Sequence, residues 1–150
     1  MILLDTNIVI DVSTNDPIWA DWSQQQLDSA ARREPLVIND IVYAELSVGH
    51  RRFQDIDALM ARMGITMSAI PRRGLFLAGK AFQRYRRLGG TRTGVLADFF
   101  IGAHAVVTDT SLITRDPRRY LAYFPGIELI APSLNYNDAH ESRVMTPTDC

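Results

Sequence analysis

Ile2-Leu3-Leu4-Asp5-Thr6-Asn7 is the stretch on which the reading of this chain turns. A short, continuous apolar run without polar alternation is what a parallel strand buried on both faces looks like. It ends in an acid, and Thr6 to Val12 is apolar enough for a short helix. A strand feeding straight into a helix opens a pattern that, if repeated, builds a parallel sheet covered by helices.

The pattern does repeat. Asp16-Pro17 predicts a helix opening at the proline and presenting Trp19, Trp22, Leu27 and Ala30 or Ala31, ending near Arg33. Leu36-Val37-Ile38 is a second buried strand. Ile41, Val42, Ala44, Leu46 and Val48 suit a packed helix that stops at Gly49, and Phe53, Ile56, Leu59, Met60 and Met63 another that stops at Gly64. Ile65 to Ile70 reads as a weak strand. Leu75, Ala78, Gly79, Phe82 and Tyr85 mark one face of a helix whose other face is basic. After the connector Gly89-Gly90-Thr91-Arg92, Thr93 is placed to cap a helix running to about Val107. Leu112-Ile113-Thr114 reads as a strand, Asp116-Pro117 opens a short helix, and Ile127 to Ile130 closes the sheet. The expected fold is α/β, a three-layer α/β/α sandwich on a mostly parallel sheet, over residues 1–132. Residues 133–150 form a polar tail without periodicity.

Composition narrows the function classes. At 150 residues the chain suits one domain, which can bury about 68–70% of its unfolded surface without crosslinks. The lone Cys150 rules out an internal disulfide framework, no run approaches a membrane span, and the N-terminus lacks a signal peptide's basic region. A cytoplasmic protein without membrane attachment is expected. The net charge of −1 conceals an asymmetry: residues 51–120 hold 13 basic residues against 5 acids, and 12 of the 13 are Arg. Arginine grips phosphate through a planar fork, so the block suits nucleic acid as well as a general preference for Arg over Lys.

Four acids stand at informative places. Asp5 and Asp116 fall just past strand ends, where ligand sites lie in parallel sheets, yet each also reads as a helix cap. Glu45 lies inside an apolar helix and reads as solvent-facing on its own. Asp98, in Val95-Leu96-Ala97-Asp98-Phe99-Phe100-Ile101-Gly102-Ala103, lies in a helix apolar nearly all round. A carboxylate there needs a metal or an ion pair, with Arg92 or Arg115 as available partners. His104 reads as a core histidine. Gathered together, such acids would raise one another's pKa unless a hard divalent cation with oxygen ligands neutralised them, and that cation could activate water against a phosphodiester.

Ile2-Leu3-Leu4-Asp5-Thr6-Asn7, Ala44-Glu45-Leu46, Leu96-Ala97-Asp98-Phe99-Phe100-Ile101-Gly102-Ala103-His104-Ala105 and Leu112-Ile113-Thr114-Arg115-Asp116 occur in that order. In this the chain resembles the PIN domain, and within it the VapC-type toxins of toxin–antitoxin pairs. The resemblance implies an Mg²⁺- or Mn²⁺-dependent ribonuclease with an acidic quartet at Asp5, Glu45, Asp98 and Asp116, supported by Asn7 and Thr114. It also implies a homodimer and an antitoxin partner whose tail enters the acidic groove. One departure is that Val106 to Ser111 lacks the glycine that often precedes the last strand, which leaves Asp109 as a competitor to Asp116.

The function expected is therefore a metal-dependent endoribonuclease acting as a toxin, with Arg86, Arg87 and Arg92 holding the RNA backbone. A housekeeping nuclease of RNA processing and a catalytically silent RNA-binding module are the alternatives.

Overall fold

A computed structural model describes residues 1–133, so all of the expected polar tail but Ser133 lies outside the described residues. The chain runs β1 (Ile2–Leu4), α1 (Thr6–Ser13), α2 (Ala20–Ala31), β2 (Leu36–Ile38), α3 (Asp40–Ser47), α4 (Phe53–Met63), β3 (Ile65–Met67), α5 (Arg72–Arg87), α6 (Leu96–Val107), β4 (Ser111–Ile113), α7 (Arg118–Tyr123) and β5 (Leu129–Ile130). The five strands form one sheet in the order β3-β2-β1-β4-β5, every pair parallel. With its helical layers this is the expected α/β/α sandwich.

The order of strands positions the site. From β1 the chain steps outward to β2 and β3, then returns to add β4 on the other side of β1. At such a reversal the connections at the carboxyl ends of the two central strands diverge and leave a crevice. Asp5 follows β1 directly, and Thr114 to Asp116 follow β4. The register Leu4↔Ile113 brings those two ends level.

β1 and β2 are buried along their whole length, which explains their unbroken apolar sequence. Leu4, Ile38, Leu112 and Ile113 are fully buried, and each such side chain contributes about 1.5–3 kcal/mol. α6 is buried too, through Phe99, Ile101, Ala103 and Ala105. Phe99 packs edge-on against Tyr123 and Phe124, joining α6 to α7.

Several expectations shift. Asp16 does not start α2; its Oδ1 accepts hydrogen bonds from the N–H groups of Ile18 and Trp19, forming a turn, and the helix begins at Ala20. Thr93 does not cap α6, whose N-cap is Val95. Ala30, not Ala31, faces the core. Phe53, Leu75 and Val48 are exposed despite their helical spacing, because the packed faces are carried by Ile56 and Leu59, by Gly74 and Ala78, and by Val42 and Leu46. Asp109 adopts a φ of 50° in the turn before β4. It thus fills the left-handed position that a glycine would take, a conformation Asp tolerates better than most residues. This fixes Asp116 as the acid that follows β4.

Gly102 governs how closely α7 approaches. A Cβ there would come within 2.5 Å of the Phe124 ring and 3.1 Å of Tyr120. Both rings are buried, so neither can move aside freely. Gly102→Ala should therefore lower stability by about 1–3 kcal/mol in urea unfolding, although alanine favours a helix, because overpacking outweighs propensity. A melting curve at or above wild type would show that the α6–α7 seam is loose.

Candidate active site

Asp5 is almost fully buried, with 6% of its surface exposed. Its backbone N–H donates to the Ile113 carbonyl at 2.9 Å, which ties it to β4. Its Oδ1 accepts from the Thr6 N–H at 2.7 Å, the cap expected of it. Its Oδ2 accepts from the Thr114 hydroxyl at 2.8 Å and the Tyr120 hydroxyl at 2.9 Å. One carboxylate thus caps α1 and faces the cleft. The Asn7 amide approaches both Asp5 Oδ2 and Thr114 Oγ1 at 3.4 Å, so the two expected supporting residues do converge on it.

Glu45 reaches the same place from α3, where its Oε1 accepts from the Thr6 hydroxyl at 2.7 Å. α3 is itself set by Asn39, whose Oδ1 accepts from the Ile41 and Val42 N–H groups at 3.1 and 3.0 Å. The Asn39 amide donates to Nδ1 of His104 at 3.2 Å. His104 is buried, and burial lowers its pKa from the ordinary 6.5, in keeping with the core histidine its sequence context predicts.

Asp98, in the first turn of α6, is half-buried and pairs with Arg119 of α7. The expected partners Arg92 and Arg115 are not the ones used. Arg115 instead bonds Asp11 through Nε at 2.9 Å, where Asp11 also accepts from Ser23 at 3.0 Å. With Asp11 only 1% exposed, this ion pair clamps the loop after β4 onto α1. Asp116 is exposed, and its Oδ1 accepts from Arg118 Nε at 3.0 Å, while Pro117 takes the N-cap position of α7.

Asp5, Glu45, Asp98 and Asp116, from four separate elements, line one cleft of about 530 Å³. Asn7, Arg92, Arg115, Arg118, Arg119 and Tyr120 complete most of its wall. Of the arginines expected to hold the RNA backbone, Arg92 lines the cleft and Arg86 and Arg87 do not; Arg86 turns back to the Gly90 and Thr91 carbonyls and lies over the Phe82 ring. Sequence reading missed Tyr120, Arg119, Arg118 and Thr6. The local signal for the first three was Arg118-Arg119-Tyr120 directly after Asp116-Pro117, and for Thr6 its place beside Asp5.

The electrostatics point to a cation. Burial raises the Asp5 pKa from its ordinary 3.8 to about 6, and Asp98 pushes it the same way against the Thr114 and Tyr120 hydrogen bonds. Burial also raises Asp98, opposed by Arg119, whereas Arg118 holds Asp116 low. The donor set suits a hard divalent ion, since among the described residues the cleft wall offers carboxylates and no thiolate or imidazole. As the side chains stand, however, no three His, Cys, Asp or Glu residues among the described residues are gathered to hold an ion. Arg119 occupies Asp98 and Arg118 occupies Asp116, so guanidinium groups stand in for part of the positive charge that the carboxylates require.

The raised Asp5 pKa sets a pH dependence. A carboxyl whose folded pKa lies above its unfolded one stabilises the protein below about pH 4, and that contribution, about 3 kcal/mol here, is lost as pH rises through about 6. In EDTA, Asp5→Asn should accordingly melt higher than wild type at pH 8 and lose that advantage at pH 4. Thermal melts at both pH values check this, and a difference independent of pH would contradict it.

The PIN domain family model matches residues 2–124. A comparison with curated protein sequences found no match. Among solved structures the chain is similar to VapBC2 from Rickettsia felis bound to a promoter DNA fragment, with a TM-score of 0.69 and 20% identity over 89% of this chain and 100% of that one. It is similar to a toxin–antitoxin complex from Klebsiella pneumoniae, with a TM-score of 0.64 and 25% identity over 90% and 100%. VapBC-1 from nontypeable Haemophilus influenzae gives a TM-score of 0.65 and 22% identity over 87% and 98%.

Proposed function

This chain belongs to the PIN domain family, and from that premise we propose that it is a divalent-metal-dependent endoribonuclease, the toxin of a toxin–antitoxin pair. The observation that carries the reading is the meeting of Asp5, Glu45, Asp98 and Asp116 in one cleft at the reversal of the sheet. The family supports a nuclease, and the toxin–antitoxin complexes among its structural neighbours support the biological role.

In this reading the four carboxylates hold Mg²⁺ or Mn²⁺, directly or through water. Such an ion would supply a water nucleophilic at neutral pH and offset negative charge on a phosphodiester. Thr114, Tyr120 and Asn7 fix the Asp5 carboxylate, so that it needs no reorientation during the reaction. Thr6 fixes Glu45. Arg92, at the cleft wall, takes the RNA backbone, and affinity should fall as salt rises.

The antitoxin's tail enters from a neighbouring apolar groove of about 470 Å³, lined by Leu46, Val48, His50 and Leu59, which shares Ile10 and Glu45 with the acidic cleft. The exposed Leu75, Phe76 and Val106 suit the homodimer. No helix among the described residues is long and apolar enough to cross a membrane; a cytoplasmic site of action is part of the proposal. The proposed nuclease domain is residues 1–132, and residues 134–150 lie outside the described residues.

A catalytically silent RNA-binding module is favoured by one observation, that arginines already occupy Asp98 and Asp116. The experiment that separates the readings is cleavage of structured RNA with Mg²⁺ or Mn²⁺. Wild type should cleave, EDTA should stop it, and folded Asp98→Asn should lose about 100-fold or more in rate, equivalent to about 2.7 kcal/mol of transition-state stabilisation. Equal activity in the two folded proteins would remove Asp98 from the chemistry. Growth arrest on expression, relieved by the neighbouring reading frame, distinguishes a toxin from a housekeeping nuclease.

A further inference from the structure

We propose that Arg119 is a resident counter-cation of the acidic cleft, which a divalent ion must displace from Asp98 before the cleft loads. The inference rests on the metal-dependent reading above and adds to it a competition built into the chain.

α7 delivers three consecutive side chains to three cleft carboxylates: Arg118 to Asp116, Arg119 to Asp98 and Tyr120 to Asp5. They differ in freedom. Tyr120 is 2% exposed and, with Phe124, anchors the helix against α6. Arg118 and Asp116 are neighbours in sequence and largely exposed, so their pair is local and solvated. Arg119 is different: its backbone belongs to an anchored helix, yet its side chain remains 36% exposed, and its partner Asp98 belongs to another helix. The fork is thus held in the cleft wall by its ion pair with Asp98 and has solvent to swing into.

That pair engages the carboxylate a divalent ion needs. The carboxylates share one wall, but they are not gathered to hold an ion while Arg119 is on Asp98. An ion carrying two charges in place of one would outbid the guanidinium in Coulombic terms, and by linkage each weakens the hold of the other. Released, Arg119 remains in a cleft wall that also holds Arg92 and Arg118, where its planar fork is suited to two oxygens of a backbone phosphate. A protein whose ion-competent state is partly occluded binds with an apparent Kd raised in inverse proportion to the competent fraction.

The test is titration of Mn²⁺ alone into the full chain, followed by calorimetry, for wild type, Arg119→Ala and Arg119→Lys. If Arg119 holds Asp98 nine-tenths of the time, Arg119→Ala should bind Mn²⁺ about tenfold more tightly than wild type. Arg119→Lys should fall between them, because an ammonium lacks the fork. The Arg119 Nε–H signal in ¹⁵N NMR should shift on addition of Mg²⁺. A purely structural ion pair would leave the Mn²⁺ affinity of Arg119→Ala unchanged or weaker while wild type binds, which would overturn the exchange and leave the nuclease reading standing. Absence of Mn²⁺ binding by wild type and variants alike would remove the nuclease reading and the exchange with it. Should Arg119→Ala fail to fold by circular dichroism, the lysine variant decides: an affinity equal to wild type overturns the exchange.

Discussion

A carboxylate buried at the end of a central strand must be met by hydrogen bonds, by a proton or by a cation, and Asp5 imposes that requirement on the molecule. Its two oxygens collect Thr6, Thr114 and Tyr120, which come from α1, from the end of β4 and from α7. The fold thereby pins three elements to one side chain. The same hydrogen bonds do not fully offset desolvation, since the Asp5 pKa still rises to about 6. Satisfied in geometry but short of positive charge, the group is an effective place to recruit an ion.

The arginines around the cleft fall into distinct classes. Arg115 is committed to a half-buried pair with the buried Asp11 and lies over the Trp19 ring, where it steadies the loop carrying Thr114 and Asp116. Removing Arg115 would leave the buried Asp11 carboxylate short of a counter-charge, so Arg115 belongs to the scaffold. Arg118 and Arg119 lie on carboxylates at the surface of the cleft. Arg86 folds onto its own loop, and Lys80 lies over Phe76. These basic residues of the block thus serve different contacts.

Much of the layout could be read from residues 2–130, because buried parallel strands and the helices between them leave periodicities that tertiary contacts do not disturb. Gly64 ends α4 in the left-handed conformation at the position its sequence predicts. Asp98 stood out because its neighbours were apolar. Glu45 was legible only through the family pattern, since the contact that brings it in is with Thr6, thirty-nine residues away. Arg119 and Tyr120 were not legible at all. Their partners Asp98 and Asp5 lie 21 and 115 residues away, and nothing in a short basic-aromatic stretch says which acids it will meet. Exposed Phe53 and Leu75 show the converse: helical spacing marks a face, and the neighbouring elements decide whether it is covered.

The span of the Asp5 contacts also bears on the order of events during synthesis. Its partners Thr114 and Tyr120 are made 109 and 115 residues later. β1, the first strand made, lies in the middle of the sheet and must wait for β4 to complete one of its edges. Contacts of such long range form late and slowly. A nascent chain emerging N-terminus first cannot assemble the cleft until α7 has left the ribosome, so whatever chemistry the cleft performs stays silent throughout translation of the domain.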